Sequence, residues 1–170
     1  VAGVSLATNI IAEMLAYDLA PAGLVFAGPC LVGKEIPLER LIKPGTHVAV
    51  VFTDDAAAEE VKMYGQEASL SAAADLQLFI DDYYKVAAPF RSLLGKSIAE
   101  KRYNDHLSLL RQRKLPSLIV VGNEEKVIDP DYLDSVSLPI WRDRIVKIPG
   151  ASHLVQVDQP ATFNTAVYDF

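Results

Sequence analysis

Two nearly uninterrupted runs of apolar residues, far apart in the chain, constrain the fold most. One is Ala22–Ala27, which ends at Gly28, and the other is Pro116–Gly122. Runs of this length are typical of strands that are covered on both faces, as strands of parallel sheets are. The shorter run Arg144–Pro149 is typical of an edge strand, and apolar Val1–Val4 predicts one more strand.

Helical patterns separate these predicted strands. Apolar residues between Thr8 and about Ala20 recur three and four positions apart, which predicts an amphipathic helix. Pro160 fits the first turn of a terminal helix with Phe163, Val167 and Phe170 directed inward. Strands that alternate with helices indicate an α/β fold with a parallel sheet.

The stretch between the two long apolar runs has a different pattern. We expect an isolated strand at His47–Phe52, then a helix that Asp54 or Asp55 opens and that ends near Ala68. Further helices are predicted from Ser71 to about Tyr84 and over roughly Pro89 to Arg113. The predicted organisation is therefore a sheet core formed by residues 1–30 and 115–170, interrupted by a helical insertion at residues 31–114.

Composition excludes several classes of protein. The net charge of −6 argues against a nucleic-acid-binding protein, whose binding surface would be basic. The single cysteine, Cys30, excludes a disulfide framework and a multi-cysteine metal site. No apolar run approaches the roughly 20 residues of a membrane helix, and Val1–Ala7 lacks the positive charge of a signal peptide. We expect a cytoplasmic protein with no nucleic-acid or membrane partner.

The segment Gly3-Val4-Ser5-Leu6-Ala7 has the form small-x-Ser-x-small between a predicted strand and a predicted helix. A nucleophile on such a sharp turn sits in strained backbone, so its neighbours two residues away must be small. The turn also directs the amide of Leu6 and the helix N-terminus at a developing oxyanion. The alternative interpretation is that Ser5 only caps the helix.

A nucleophilic serine needs a base, and the chain has three histidines. His47 lies in the predicted isolated strand and His106 in a polar helical stretch, where we expect surface or packing roles. His153 follows the last predicted strand in a loop of small residues. Loops at the carboxyl ends of parallel strands hold the active sites of α/β sheets, so His153 is the candidate base.

The imidazole needs a carboxylate that fixes its tautomer and stabilises its charged form. The loop Gly122–Pro130 follows the preceding predicted strand and contains Glu124, Glu125 and Asp129, each of which could serve. The alternative is a solvated acidic loop. The candidates appear in the chain order serine, acid, histidine, which is the order of the α/β-hydrolase arrangement.

The sequence resembles the α/β-hydrolase superfamily over nearly all of its 170 residues, in the serine-nucleophile branch with a helical cap. Gly3–Asn9 resembles the nucleophile elbow, Leu118–Val127 the strand and loop of the acid, and Pro149–Pro160 the histidine loop. Residues 81–105 resemble helices of the cap. The resemblance implies that Ser5 is the nucleophile.

By the same resemblance, His153 is the general base and Leu6 donates one oxyanion amide. Glu125 falls three residues after Gly122, where the family usually has Asp, so it is the expected acid, with Glu124 and Asp129 in reserve. Ser152 stands where Gly usually precedes the histidine. No metal and no cofactor is implied.

The expected function is hydrolysis of a small ester-like substrate through an acyl-enzyme. The chain begins without Met in a predicted strand, and the family's strands before the elbow are absent, so we expect a piece of a longer protein. Its expected partner is the missing N-terminal half of the fold or a self-association partner. The alternative is a non-catalytic remnant of the fold that serves as a binding or interaction module.

Overall fold

A four-stranded parallel sheet forms the centre of the molecule. The computed structural model describes residues 1–17, 21–72 and 74–170. Within them the strands lie side by side in chain order: Ala2–Val4 (β1), Leu24–Ala27 (β2), Ser117–Gly122 (β3) and Val146–Ile148 (β4). Gly3 pairs with Phe26, Phe26 with Ile119, and Val120 with Val146.

Every residue of β2 and β3 is buried. Phe26 and Ile119 belong to the larger apolar cluster, whereas Val25, Leu118 and Val120 belong to a second cluster. Because successive side chains of a strand point to opposite faces, the two clusters cover the two faces of the sheet. The prediction of strands that are covered on both sides is confirmed.

Eight helices flank or follow these strands in the described part of the chain. They are Leu6–Met14 (α1), Leu38–Leu41 (α2), Ala58–Ala68 (α3), Leu76–Lys85 (α4), Phe90–Ala99 (α5), His106–Arg113 (α6), Val155–Asp158 (α7) and Pro160–Asp169 (α8). The predicted helix to about Ala20 is too long, because α1 ends at Met14 and residues 15–17 form a turn; Ala20 itself falls outside the described residues. Phe163, Val167 and Phe170 pack against the second cluster, as predicted for the terminal helix. No helix of the described ranges is long and apolar enough to cross a membrane.

Residues 31–114, which we name the helical segment, contain α2 to α6. The predicted strand at His47–Phe52 is wrong, because Val48–Phe52 forms a 3₁₀ helix. Val50 N donates to His47 O at 3.1 Å and Thr53 N to Val50 O at 3.3 Å, which is the i to i+3 pattern of that helix. A run of valines favours a strand only where a neighbouring strand pairs with it.

Two helices of this segment begin at capping residues that the apolar pattern did not predict. The helix expected from Ser71 begins at Leu76, where the Asp75 carboxylate accepts a hydrogen bond from Leu78 N at 2.9 Å. The stretch from Pro89 to Arg113 is two helices, and the Asp105 carboxylate caps the second of them.

The helix expected to open at Asp54 or Asp55 begins only at Ala58. Asp54 instead accepts hydrogen bonds from Arg91 N and Ser92 N at the start of α5. The carboxylate therefore stabilises a helix distant in sequence rather than the one that follows it.

Candidate active site

Ser5 occupies a strained turn between β1 and α1. Its φ of 51° and ψ of −124° lie in a region that residues with a side chain rarely adopt. Ser5 N donates to Ala27 O at 3.0 Å, so the turn remains attached to the end of β2. A conformation of this kind costs about 1–3 kcal/mol and persists only where the surrounding structure enforces it.

The glycine two residues before Ser5 makes this turn possible. A Cβ atom on Gly3 would lie 2.6 Å from Ile11 Cδ1 and 2.9 Å from the carbonyl carbon of Ala7. Any larger residue would therefore push α1 away from β1. Leu6 is the first residue of α1, so its N–H is among the first-turn amides that have no partner within the helix.

Two side chains of α1 join this turn to the segment after β2. Ser5 O accepts hydrogen bonds from Thr8 N at 2.8 Å and from Thr8 Oγ1 at 2.6 Å. Cys30 N donates to Thr8 Oγ1 at 3.0 Å, and Asn9 Nδ2 donates to Cys30 O at 2.6 Å. Thr8 and Asn9 therefore fix Cys30 beside the turn.

His153, in the loop after β4, contacts both Ser5 and Glu125. Its Nε2 lies 2.8 Å from Ser5 Oγ, and its Nδ1 lies 2.8 Å from Glu125 Oε2. His153 is 1% exposed and Glu125 is 2% exposed. A carboxylate on Nδ1 leaves Nε2 as the acceptor that a serine hydroxyl needs.

The Glu125 carboxylate is oriented by backbone amides of its own loop. Its Oε1 accepts hydrogen bonds from Val127 N at 2.8 Å and from Ile128 N at 3.3 Å. The two reserve acids bond elsewhere: Glu124 Oε2 accepts from Gly150 N at 2.7 Å, and Asp129 Oδ1 accepts from Asp131 N at 3.0 Å.

Opposing effects act on the pKa of His153. Burial lowers this pKa, whereas a hydrogen bond with Cys30, a hydrogen bond with Glu125 and the negative charge of Glu125 raise it. The net result is a pKa above the usual range of imidazole. An imidazolium that forms at this position is therefore stabilised by its surroundings.

The other two histidines have partners of their own. His47 Nδ1 lies 2.6 Å from Glu67 Oε1. His106 is buried, with its Nε2 2.9 Å from Glu13 Oε1 and its Nδ1 accepting from Val32 N. No group of three or more histidine, cysteine or acidic side chains within the described ranges could hold a metal ion.

The structure places two further side chains, Tyr64 and Cys30, near the site, and the sequence reasoning missed the first of them. Tyr64 on α3 is buried, and burial raises the pKa of its hydroxyl well above the usual range, whereas the nearby Ser5 side chain acts to lower it. The phenol therefore stays neutral and can donate to Ser5 Oγ. Cys30 is half-buried, its Sγ donates to Gly28 O at 3.8 Å, and its side chain acts to raise the pKa of His153.

Neither a protein-family profile nor a curated protein matches this sequence. Solved structures do match. The N-acyl homoserine lactonase AidH, in a complex with N-butanoyl homoserine, aligns with a TM-score of 0.89 and 20% identity over 99% of this chain and 61% of that chain. An esterase from a Rhodococcus species aligns with a TM-score of 0.76 and 20% identity over 99% of this chain and 63% of that one.

The carboxylesterase CesB from Bacillus subtilis gives a TM-score of 0.67 and 18% identity, over 99% of this chain and 58% of its own. These likenesses, together with the parallel sheet and its flanking helices, show that the chain has the α/β-hydrolase fold, as predicted. The chain spans less than two thirds of the length of each of these three structures.

Proposed function

We propose that the chain is a serine hydrolase that cleaves an ester-like bond with Ser5, His153 and Glu125. One observation carries the proposal: the continuous series of hydrogen bonds from Ser5 Oγ through the imidazole to the buried Glu125 carboxylate. Hydrolysis of esters by a serine needs a nucleophile, a base in contact with it and a group that orients the base. The four-stranded sheet brings these groups together at the carboxyl ends of its strands.

In the first half of the reaction, Ser5 Oγ attacks the carbonyl carbon while His153 Nε2 accepts the hydroxyl proton. Glu125 stabilises the imidazolium that results and holds the proton on Nδ1. The imidazolium then returns its proton to the leaving alkoxide as the C–O bond breaks, which leaves an acyl-enzyme. Water attacks this acyl group with His153 again as the base, and the free acid and the serine hydroxyl are regenerated.

The negative oxygen of the tetrahedral intermediate needs donors near Ser5. The Leu6 amide is the donor that we assign, because it lies at the N-terminus of α1 directly after the nucleophile. The neutral phenol of Tyr64 supplies a second hydrogen-bond donor near Ser5. Its location on α3 supports the assignment of the helical segment as a cap over the site.

The substrate class that we propose is a small neutral ester or lactone. The similar structures include a lactonase and two esterases by name, and a serine acyl-enzyme mechanism accommodates both kinds of carbonyl. For a lactone, the alkoxide that leaves remains attached to the acyl group, so the product is a single hydroxy acid.

The edge strand β1 has one partner strand, β2, among the described residues. We propose that its free edge pairs with a strand of the remaining part of an α/β-hydrolase sheet or of a second copy, since an unpaired edge is prone to association. We also propose a cytoplasmic location, for which the single cysteine is the support.

Labelling with a fluorophosphonate, followed by intact-mass spectrometry and peptide mapping, tests the proposal. We expect one phosphonyl adduct on Ser5, no adduct in Ser5→Ala, and an unchanged adduct in Ser97→Ala, which alters a half-buried serine on α5. Turnover is measured with p-nitrophenyl butyrate and with N-hexanoyl homoserine lactone, and Ser5→Ala should lower kcat by about 10⁴-fold or more.

Absence of labelling at high probe excess would overturn the proposal and favour the non-catalytic binding module. Labelling without turnover would show a competent nucleophile whose acyl-enzyme does not hydrolyse. Turnover of the ester but not of the lactone would narrow the substrate class to open-chain esters.

A further inference from the structure

Ser152, directly before His153, joins two other parts of the molecule. Its hydroxyl donates to Glu67 O at 2.7 Å, at the end of α3, and accepts from Lys126 N at 3.1 Å, in the loop that carries Glu125. The side chain is fully buried. A glycine at this position would leave both contacts unmade.

Asp158, at the end of α7, reinforces the same junction. Its Oδ2 accepts from Ser152 N at 2.7 Å, whereas its Oδ1 accepts from Ser69 Oγ, from Leu70 N at 2.8 Å and from Ser71 N at 3.0 Å. One carboxylate therefore bonds both the histidine loop and the chain that follows α3. Hydrogen bonds to an ionised acceptor are stronger than those between neutral groups.

The residue after His153 is bonded to α3 as well. Leu154 N donates to Ala68 O at 2.7 Å. Both neighbours of His153 are thus attached to the last turn of α3, and the same helix carries Tyr64, whose hydroxyl lies near enough to Ser5 for the serine to act on its pKa. One helix therefore adjoins both the histidine loop and the nucleophile turn.

We propose that Ser152 and Asp158 are positioning residues through which the helix α3 holds His153 at its contact distance from Ser5. The inference rests on the proposed function and adds that the helical segment sets the geometry of the base. Neither residue is assigned a contact with the reacting atoms. Their effect is on where the His153 backbone lies.

The size of the effect follows from geometry. A displacement of a reacting group by about 1 Å can lower the rate about 10²-fold. Such a displacement acts on the transition state, in which the proton moves between Ser5 and His153, and leaves ground-state binding nearly unchanged. The loss should therefore be in kcat, whereas a general loosening of the binding site would also raise KM.

The test uses three variants that remove parts of the junction: Ser152→Ala, Ser69→Ala and Asp158→Asn. Ser97→Ala on α5 and Asp134→Asn, whose carboxylate pairs with Lys147 on the surface, are the matched controls. Ser69→Ala alters only the α3 side of the junction and leaves Ser152 in place.

Three measurements separate positioning from simple folding defects. They are kcat and KM for p-nitrophenyl butyrate, the rate of fluorophosphonate labelling of Ser5, and the proton NMR signal of His153 Nδ1 in its bond to Glu125. We expect kcat and the labelling rate to fall about 10-fold in Ser69→Ala and Ser152→Ala and about 10²-fold in Asp158→Asn, with KM within about twofold.

In folded variants, the His153 Nδ1 signal should broaden or shift in the same order, whereas the controls should match the wild type. Rates and signals that stay at the wild-type level in Ser69→Ala and Ser152→Ala would overturn the proposal, as would a loss confined to KM. If the wild type itself neither labels nor turns over, the proposed function fails. The NMR signal then still shows whether α3 positions His153.

Discussion

The nucleophile and the base of the candidate site are fixed in different ways. Ser5 is held mainly by Gly3 and Thr8, which are its near neighbours in sequence, with one hydrogen bond to the end of the neighbouring strand, so a short local sequence produces most of its geometry. His153 is held by contacts with Glu125, which is 28 positions away, and by the junction of its loop with α3, where Ser152 and Glu67 are 85 positions apart. The nucleophile turn therefore depends on local sterics, whereas the position of the base depends on the assembled fold.

Of the changes that test this comparison, removal of the negative charge beside His153 should lower kcat the most. In Glu125→Gln we expect kcat to fall about 10³–10⁴-fold, because the amide stabilises neither the required tautomer nor the imidazolium. Steady-state kinetics with p-nitrophenyl butyrate measure this change. Glu124→Gln is the control and should lose about 10-fold at most, because Glu124 bonds amides of the histidine loop and not the imidazole.

A bulkier residue in the nucleophile turn tests the local side of the comparison. Gly3→Ala should lower the free energy of unfolding by about 1–3 kcal/mol, since the new Cβ overlaps Ile11 and the backbone of Ala7. We expect the fluorophosphonate labelling rate to fall about 10²-fold as Ser5 moves. Urea denaturation and labelling kinetics measure the two effects.

The double variant Gly3→Ala with Ile11→Val sharpens this test. Valine lacks the Cδ1 atom 2.6 Å from the new methyl group, but the contact of 2.9 Å with Ala7 remains. Partial recovery of the labelling rate is therefore expected. Full recovery would mean that the overlap with Ile11 alone limits this position.

Tyr64 bears on both parts of the comparison, because it belongs to the helical segment and lies near the turn that carries Ser5. Tyr64→Phe should lower kcat about 10-fold through loss of a neutral hydrogen-bond donor near the nucleophile. The matched control is Tyr84→Phe, which removes from an exposed tyrosine the hydroxyl that donates to Ala56 O at 2.7 Å. Equal losses in the two variants would refute a role for Tyr64 at Ser5.

The smallest expected effect is a shift in the pH dependence of kcat/KM. His153 must be neutral to accept the proton of Ser5, so kcat/KM should rise with pH through the pKa of His153, with its midpoint above 6.5. Cys30→Ala removes a group that raises this pKa, so the midpoint should move to lower pH. A profile that is identical in Cys30→Ala would show that the thiol does not influence the imidazole.

The sequence predicts the sheet and the meeting of Ser5 with His153 for clear physical reasons. Apolar runs such as Leu24–Ala27 have no other stable place than a covered strand, and the carboxyl ends of parallel strands meet at one edge. A capping side chain that is distant in sequence from its helix, as Asp54 is from α5, is not visible in local patterns.

Tyr64 and Asp158 were missed for a related reason. Their partners lie on other elements, and no spacing along the chain indicates those contacts. One sequence feature does point to Tyr64. It lies with Val61, Gly65 and Ala68 on the buried face of α3, and a buried phenol needs a hydrogen-bond partner. That signal indicates a partner without identifying Ser5.

The neighbouring strands β2 and β3 are separated in the chain by residues 28–116. The entropy of closing such a loop grows only with the logarithm of its length, so doubling the loop costs about 0.6 kcal/mol. The sheet thus tolerates insertions and deletions here during evolution at small energetic cost. The tolerance differs between helices. The sequence of α5 can diverge because α5 has no buried residue, whereas changes in α3 must remain compatible with the histidine loop, to which α3 is hydrogen-bonded.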